Sequence, residues 1–465
     1  MFPITLAALA WAAPDLEDWM TEELDRATRL VESQPDHPHY VALQIVDADA
    51  WTITAQAGTI EKSTHEASRY LDVDLRVGNS ERDSTHELRG DAAYRWDDRR
   101  TVQLPLGDPK RVEYGIRHAI AAELNRSYRY AAETMVVLRA NTAVSVEEDD
   151  TAADFEPRSS VVANEPVPPL VIDVPGWERT LTAVSRRLET DPRIHKASVE
   201  FTATHDTRRF VDTEGSRLVH GRNGLRVMFT LDSIADDGDQ VTVYDAIDVD
   251  SVAELPTADA LLARADAVAA RLIALRNAPR AKPYSGPVLL GGRAAAVLVH
   301  EVLGHRVEGH RQKSENEGKT FADYVDKPIL PEFLSIYDDP TLATLRGLDL
   351  NGHYRFDDEG VPAQRADLIR DGVFRGFLMS RSPIARFPQS NGHGRREVGS
   401  KPVARMANTV HETSAPVPIA KLRQQLVDEA KRQGLPFAIY VEEIDGGLTL
   451  TGRNWPNSFN VRAAA

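Results

Sequence analysis

Val299-His300-Glu301-Val302-Leu303-Gly304-His305-Arg306-Val307-Glu308-Gly309-His310 is the stretch on which the reading of this chain turns. It sets three imidazoles and two carboxylates between positions 300 and 310. The small apolar run Ala294-Ala295-Ala296-Val297-Leu298 before it reads as the opening of a buried helix. Gly291-Gly292 ends the preceding strand Pro287-Val288-Leu289-Leu290 and lets the chain turn into that helix. The polar cluster is therefore predicted on a helix packed against a sheet.

A His-Glu pair followed by a second His suits a hydrolytic zinc site. Two neutral imidazoles hold the metal, and the carboxylate beside the first takes a proton from the attacking water. Histidines four apart lie about 40° from each other around a helix, but His300 and His305 are five apart and about 140° from each other. A regular helix cannot aim both at one ion. The spacing predicts a wide, π-type turn or a break, most cheaply at Gly304. Glu308 would then share a side with Glu301 and His305, as a third ligand or as an anchor for an imidazole. The competing reading is an exposed amphipathic helix with scattered histidines.

The stretch resembles the HExxxH helix of the TldD/PmbA family of zinc metallopeptidases, where the pattern runs H-E-x-x-G-H-x-x-E-G. His300, Glu301, Gly304, His305, Glu308 and Gly309 match each fixed position. Further similarities follow in order: Asp357-Asp358-Glu359-Gly360-Val361-Pro362-Ala363-Gln364, then Leu368-Ile369-Arg370-Asp371-Gly372-Val373-Phe374-Arg375-Gly376-Phe377, then Asn391-Gly392-His393-Gly394-Arg395-Arg396. Upstream, Phe210-Val211-Asp212-Thr213-Glu214-Gly215-Ser216 also resembles the family, so the resemblance spans roughly Pro38 to the C-terminus.

The resemblance implies zinc held by His300 and His305, with Glu301 as general base and general acid. It also implies unfolded or short peptides as substrates, entering an enclosed cavity between two subunits, in a homodimer or a pair with a metal-free paralogue. The family's third ligand is a cysteine thiolate from near the C-terminus, and this chain has no cysteine. Either the chain stops short of that ligand's position or another group replaces it, the candidates being Glu308, His310, His393 and His411. Asn391, Gly392, Gly394, Arg395 and Arg396 would border the substrate cleft, with glycines admitting close approach and arginines suited to a peptide carboxylate. His393 stands where the family more often has Gly-Asn-Gly. Two other readings stay open: a catalytically inactive peptide-binding or partner subunit of the same family, and a metal-dependent hydrolase of a non-peptide bond.

The chain has 465 residues, long enough for two or three domains. A formal charge of −16 argues against a nucleic-acid partner, since nothing offsets phosphate repulsion and no basic cluster carries interleaved aromatics. No stretch approaches the roughly 20 apolar residues of a membrane span. Residues 2–13 form a short apolar segment with Ala-x-Ala patterns but no basic start, resembling a secretory signal. Its cleavage would make the protein periplasmic or secreted; otherwise it is cytoplasmic.

The expected fold class is α+β, with a helix and antiparallel-sheet N-terminal part and a C-terminal part rich in antiparallel strands that carries the HExxxH helix. The divisions are 1–13 as a possible signal, 14–165 as an N-terminal α/β domain, 166–280 as a second α+β segment completing it, and 281–465 as the metallopeptidase domain. Helices are predicted over residues 16–31, 112–137, 177–188, 258–275 and 420–433. Strands are predicted at 41–46, 51–56, 70–77, 197–202, 208–213, 224–231 and 240–248, with a turn at His205-Asp206. Residues 145–169 read as an acidic, Pro-rich surface linker, residues 311–320 as a loop and possible lid, and His195, His205 and His220 as surface groups. Later strands are expected at 333–338, 354–356, 366–369, 374–379, 437–442 and 447–451. Residues 454–465 then end without the further strands expected of a family member, so the expectation is a truncated C-terminal domain or an unusually short protein.

Overall fold

Two long strands, β1 (Pro38–Gln56) and β2 (Thr59–Val77), form a hairpin closed by Ala57 and Gly58, both at positive φ. This is the backbone that a tight two-residue hairpin turn requires. The structure, a computed structural model, describes residues 16–87, 100–142, 151–280, 282–314, 316–444, 446–453 and 458–462. Residues 1–13, read above as a possible signal, lie outside the described residues, as does the acidic run 147–150.

With β3 (Val102–Gln103), β4 (Val162–Asn164), β5 (Lys196–Asp212), β6 (Arg217–Ile234) and β7 (Gln240–Val249), the hairpin builds a seven-stranded sheet. Its order is β3-β2-β1-β5-β6-β4, with β7 also on β6, and only β4 pairs in parallel. Strand alternation assigns the two faces. Val41, Leu43, Ile45, Ile53 and Ala55 of β1 point to one side, buried under α1 (Leu16–Val31), α2 (Pro109–Thr142), α3 (Val174–Leu188) and α4 (Ala258–Arg276). Tyr40, Ala42 and Gln44 point to the other, where Tyr40 and Ala42 pack with Phe155, Phe210 and Phe356.

Beyond residue 282 the elements are smaller. β8 (Val288–Leu290) pairs in parallel with β17 (Ile439–Val441), and α5 (Gly292–Val302) follows β8 directly. A four-stranded antiparallel sheet runs β13 (Val373–Phe374), β12 (Ala366–Arg370), β9 (Leu334–Asp338), β16 (Thr409–Thr413). Short antiparallel pairs are β10 (Thr344–Leu345) with β11 (Leu348–Asp349), β14 (Gly394–Arg395) with β15 (Val403–Ala404), and β18 (Gly446–Leu450) with β19 (Ser458–Arg462); α6 (Ile419–Arg432) precedes β17. The architecture is α+β.

Several expectations are corrected. Residues 41–46 and 51–56 are one strand, because Asp47 in the polar middle of β1 pairs with Arg69 on β2 and Arg209 on β5. Ion pairs there replace the apolar face whose absence had suggested a break. β5 likewise passes straight through His205-Asp206, with His205 Nδ1 2.8 Å from Asn223 Oδ1 on β6. His220 is buried against Phe356, and burial pushes its pKa down to about 4. The linker is partly core: Asp154 and Phe155 are buried, and both backbone N–H groups donate to Ser80 O. Phe356 makes only an isolated bridge to Pro362, and the 374–379 strand shrinks to β13. β19 is a strand where none was expected, paired along its length with β18.

The seam between the long sheet and the C-terminal part is polar. Asp357, Asp358 and Glu359 are all buried in it. Asp358 accepts from Arg208, from Gln44 Nε2 (3.3 Å) and from the Arg396 backbone N–H (3.0 Å), and pairs with Arg395 Nε (3.3 Å). Burial works against its charge, but Arg395, Arg208 and Arg396 hold its carboxyl well below the usual range. Asp357 goes the other way: burial and the neighbouring Glu359 carboxylate push it up to about 8, against the Val361, Gly394 and Glu359 N–H groups that it accepts.

A folded pKa raised above the unfolded value of about 3.9 makes the native state bind more protons in that window. The contribution to stability is full below about pH 4 and lost as the pH rises towards about 8. Glu359→Gln removes the repulsion. The variant is expected to gain stability on the wild type between about pH 5 and about pH 8 in urea unfolding, and a parallel pH profile for the two would refute the coupling.

Candidate metal centre

Gly291 turns β8 into α5, and a Cβ there would lie 2.7 Å from Glu442 O on the neighbouring segment. α5 ends at Val302, one residue after Glu301. Leu303 (φ −111°, ψ −53°) caps α5 with its N–H still donating to Val299 O, and Gly304–Val307 forms a separate 3-10 turn with Arg306 N and Val307 N both donating to Leu303 O. Of the two devices that the spacing predicted, the structure uses the break. Leu303 and Val307 are buried in the C-terminal core, which holds the turn in place. Gly304 is required for room: its φ is not positive, and a Cβ would lie 2.2 Å from Met406 Sδ.

The break brings His300 Nε2 within 3.0 Å of His305 Nε2, with the rings at 85°. His300, Glu301 and His305 each offer one ligand atom, and these atoms lie within 4.8 Å of one another. Burial, then the facing His305 ring, push the His300 imidazole below its ordinary value. Its neutral form therefore prevails near neutrality, and neutral imidazole is the form that binds metal.

Glu301 is only 5% exposed. The Thr449 hydroxyl on β18 lies 2.8 Å from its carbonyl oxygen and also donates to its carboxylate Oε2. A Cβ on Gly447 would lie 2.4 Å from Glu301 Cγ. The β18–β19 hairpin thus holds the carboxylate beside the two rings.

Glu308 is fully buried, and its Oε1 lies 3.1 Å from His305 Nδ1. Arg311 Nε donates to Oε2 at 2.9 Å, and Arg405 Nη1 is 3.2 Å from both oxygens. Burial opposes its ionisation, but the His305 hydrogen bond and then Arg311 and Arg405 hold its carboxyl below the ordinary range. An ionised carboxylate only accepts, so Nδ1 carries the His305 proton and Nε2 keeps its lone pair towards His300. That assignment follows from the hydrogen bonds. Glu308 anchors His305 and stands outside the cluster.

The other suggested ligands lie elsewhere. His393 is buried, with Nδ1 2.9 Å from Asn391 Oδ1 and Nε2 3.2 Å from Asp338 Oδ1, so both nitrogens are engaged away from the cluster. His310 stands outside it, and burial pushes its pKa down to about 4. His411 sits on β16 opposite Ile336. Asn391 braces its own loop, accepting from Met379 N and donating to Phe377 O. Gly392 and Gly394 admit close approach by the protein itself: a Cβ would meet Pro362 O at 2.5 Å and Glu359 Oε2 at 2.0 Å. Arg395 and Arg396 bind Asp358. The segment 311–320 is tied down, with Arg311 on Glu317 and Thr451, and Gly318 N donating to Thr451 O.

Residues 283–452 match the family model of the PmbA/TldA metallopeptidase C-terminal domain. Over these residues the chain is similar to the TldD/PmbA family. A metalloprotease of Methanocaldococcus jannaschii is 29% identical over 221 residues, 47% of each chain. The metalloprotease TldD homolog of Buchnera aphidicola is 36% identical over 141 residues, 30% of this chain and 28% of that one. The chain thus spans about half or less of the length of these curated relatives. The fold is similar to that of TldE from Thermococcus kodakarensis, with a TM-score of 0.54 and 14% identity over 92% of this chain and 84% of that one. The relatives' names support a peptidase family that uses a metal.

Thr449, Gly447, Arg311 and Arg405 enter the site without any signal in the local sequence, and all but Arg311 come from more than ninety residues away. Glu308→Gln removes the charge that fixes His305. It is expected to weaken zinc binding by about 10- to 100-fold, measured by competition with a chromogenic chelator, and urea unfolding checks that the variant is folded. Wild-type affinity in a folded variant would show that the anchor plays no part.

Proposed function

We propose that the chain is a zinc metallopeptidase that hydrolyses short or unfolded peptides. The observation that carries this reading is the approach of the two Nε2 atoms to 3.0 Å beside a buried carboxylate. Two nitrogens sharing a tetrahedral zinc lie about 3.3 Å apart, given bonds of about 2.0–2.1 Å, so the donor set fits the ion. His300 and His305 would hold it. When bound, zinc supplies a Lewis acid that polarises the scissile carbonyl and lowers the pKa of a water to about 7.

The remaining steps belong to the chain. Glu301 accepts the proton of the attacking water and delivers it to the departing amine nitrogen, while Thr449 orients its carboxylate. Glu308 keeps the His305 tautomer correct throughout. In this reading the protein works as a homodimer or beside a family paralogue, with no helix among the described residues long and apolar enough to cross a membrane.

One observation favours a second reading, a non-catalytic peptide-binding or partner subunit. Among the described residues the cluster holds two imidazoles and Glu301, and the cysteine that resemblance implies as third ligand is absent from the sequence. Metal analysis separates the two. About one zinc per chain retained at neutral pH supports the enzyme, and none supports the partner subunit. In a peptide-library digestion, Glu301→Gln is expected to keep its zinc and lose about 10²- to 10⁴-fold in rate. Undiminished cleavage by the variant would remove Glu301 from the mechanism.

A further inference from the structure

The chain carries a net charge of −16, yet a cavity of about 610 Å³ is lined by Arg100, Arg126, Arg395, Arg396, Lys401 and Arg405. Its walls come from β2, α2 and the loop joining β14 to β15. Three acids share the lining, and two are already engaged. Glu123 accepts from Arg126 at 2.8 Å and pairs with Arg100 at 3.9 Å. Asp72 accepts from Gly399 N at 2.7 Å, and burial raises its pKa, weakening it as a counter-charge. Glu397 is exposed.

A second observation points the same way. Arg396 gives its backbone N–H and Nη2 to Asp358, but its Nε is buried and has no partner among the described residues. A buried, unpartnered guanidinium N–H in a cation-rich cavity is a donor awaiting an acceptor. The cavity also touches the candidate metal centre, because Arg405 lines it and pairs with Glu308, which holds His305.

We propose that this cavity binds a carboxylate of the peptide ligand, either its C-terminus or an acidic side chain, so that the protein selects peptides by negative charge. This rests on the chain being a peptide-handling protein, though not on its turning peptides over. Lys401, Arg100 and Arg396 on the lining supply the donors, and planar guanidinium groups match carboxylate geometry. Phosphate repulsion over the rest of the acidic surface disfavours a nucleic acid as the source of the anion.

The test uses the full chain carrying Glu301→Gln and fluorescein-labelled, alanine-rich short peptides. Each is made as a free acid and as a C-terminal amide, with Glu or with Gln inside. Fluorescence polarisation is expected to show binding weakened about tenfold or more by loss of the recognised carboxylate, since a charge-assisted hydrogen bond is at stake. The acid-amide comparison reports the C-terminus and the Glu-Gln comparison the side chain. Lys401→Ala and Arg100→Ala are expected to weaken only the carboxylate-bearing peptides, with affinity for the neutral amide as the control for folding. Equal affinity across the set, or no measurable binding by any member, would overturn the proposal. Carboxylate-dependent binding by a wild-type chain that cleaves nothing would sink the peptidase reading and leave the cavity assignment standing. Cleavage indifferent to carboxylates would do the reverse.

Discussion

Asp358 is the tie on which the arrangement of this protein depends. It is fully buried, and it accepts from Gln44 and Arg208 on the long sheet and from Arg396 beyond β14, with Arg395 also paired to it. A buried carboxylate with so many positive partners cannot give one up cheaply, because each loss leaves uncompensated charge in a medium that solvates it poorly. The β14–β15 hairpin is thereby fixed against the N-terminal sheet. Arg405, the residue after β15, then reaches Glu308. Geometry at the imidazole pair is thus referred back to the large sheet through a short series of charged contacts.

Specificity of arrangement explains such a polar seam better than stability does. Apolar surfaces slide against one another with little penalty, whereas directional donors and acceptors accept one register. Arg381 illustrates this: almost wholly buried, it donates to Glu156 O and Glu214 and lies over Phe155. Its partners come from two separate parts of the chain, the 155–156 segment and the β5–β6 turn at Glu214. Burial of Asp357 and Glu359 beside each other costs stability, and the Gly394 and Arg381 backbone N–H groups that they accept recover part of it.

At the candidate metal centre, the same division of labour appears on a smaller scale. α5 supplies His300 and Glu301, a separate turn supplies His305, and neither could aim the side chains alone. The Thr449 hydroxyl and the Glu308 carboxylate set the orientation of the Glu301 carboxylate and the His305 ring. In a chain of net charge −16, several cations also gather in the cavity behind Arg405.

Local pattern in the amino-acid sequence determined much of this protein. Apolar spacing located α1 to α4 and α6 to within a few residues, since helix period and capping are short-range properties. Asp371-Gly372 marked the β12–β13 hairpin, both residues having positive φ. The five-residue separation of His300 and His305 required a departure from regular helix near Gly304, and one is present. What the pattern missed depended on partners distant in the chain. The continuity of β1 and β5 rests on cross-strand pairs at Asp47 and His205. The burial of His220, the engagement of His393 by Asp338 and the pairing of β19 likewise need a neighbour that no local window contains. The contacts of Glu308 with Arg311 and Arg405 also appear only on folding, and they set the charge around its carboxylate.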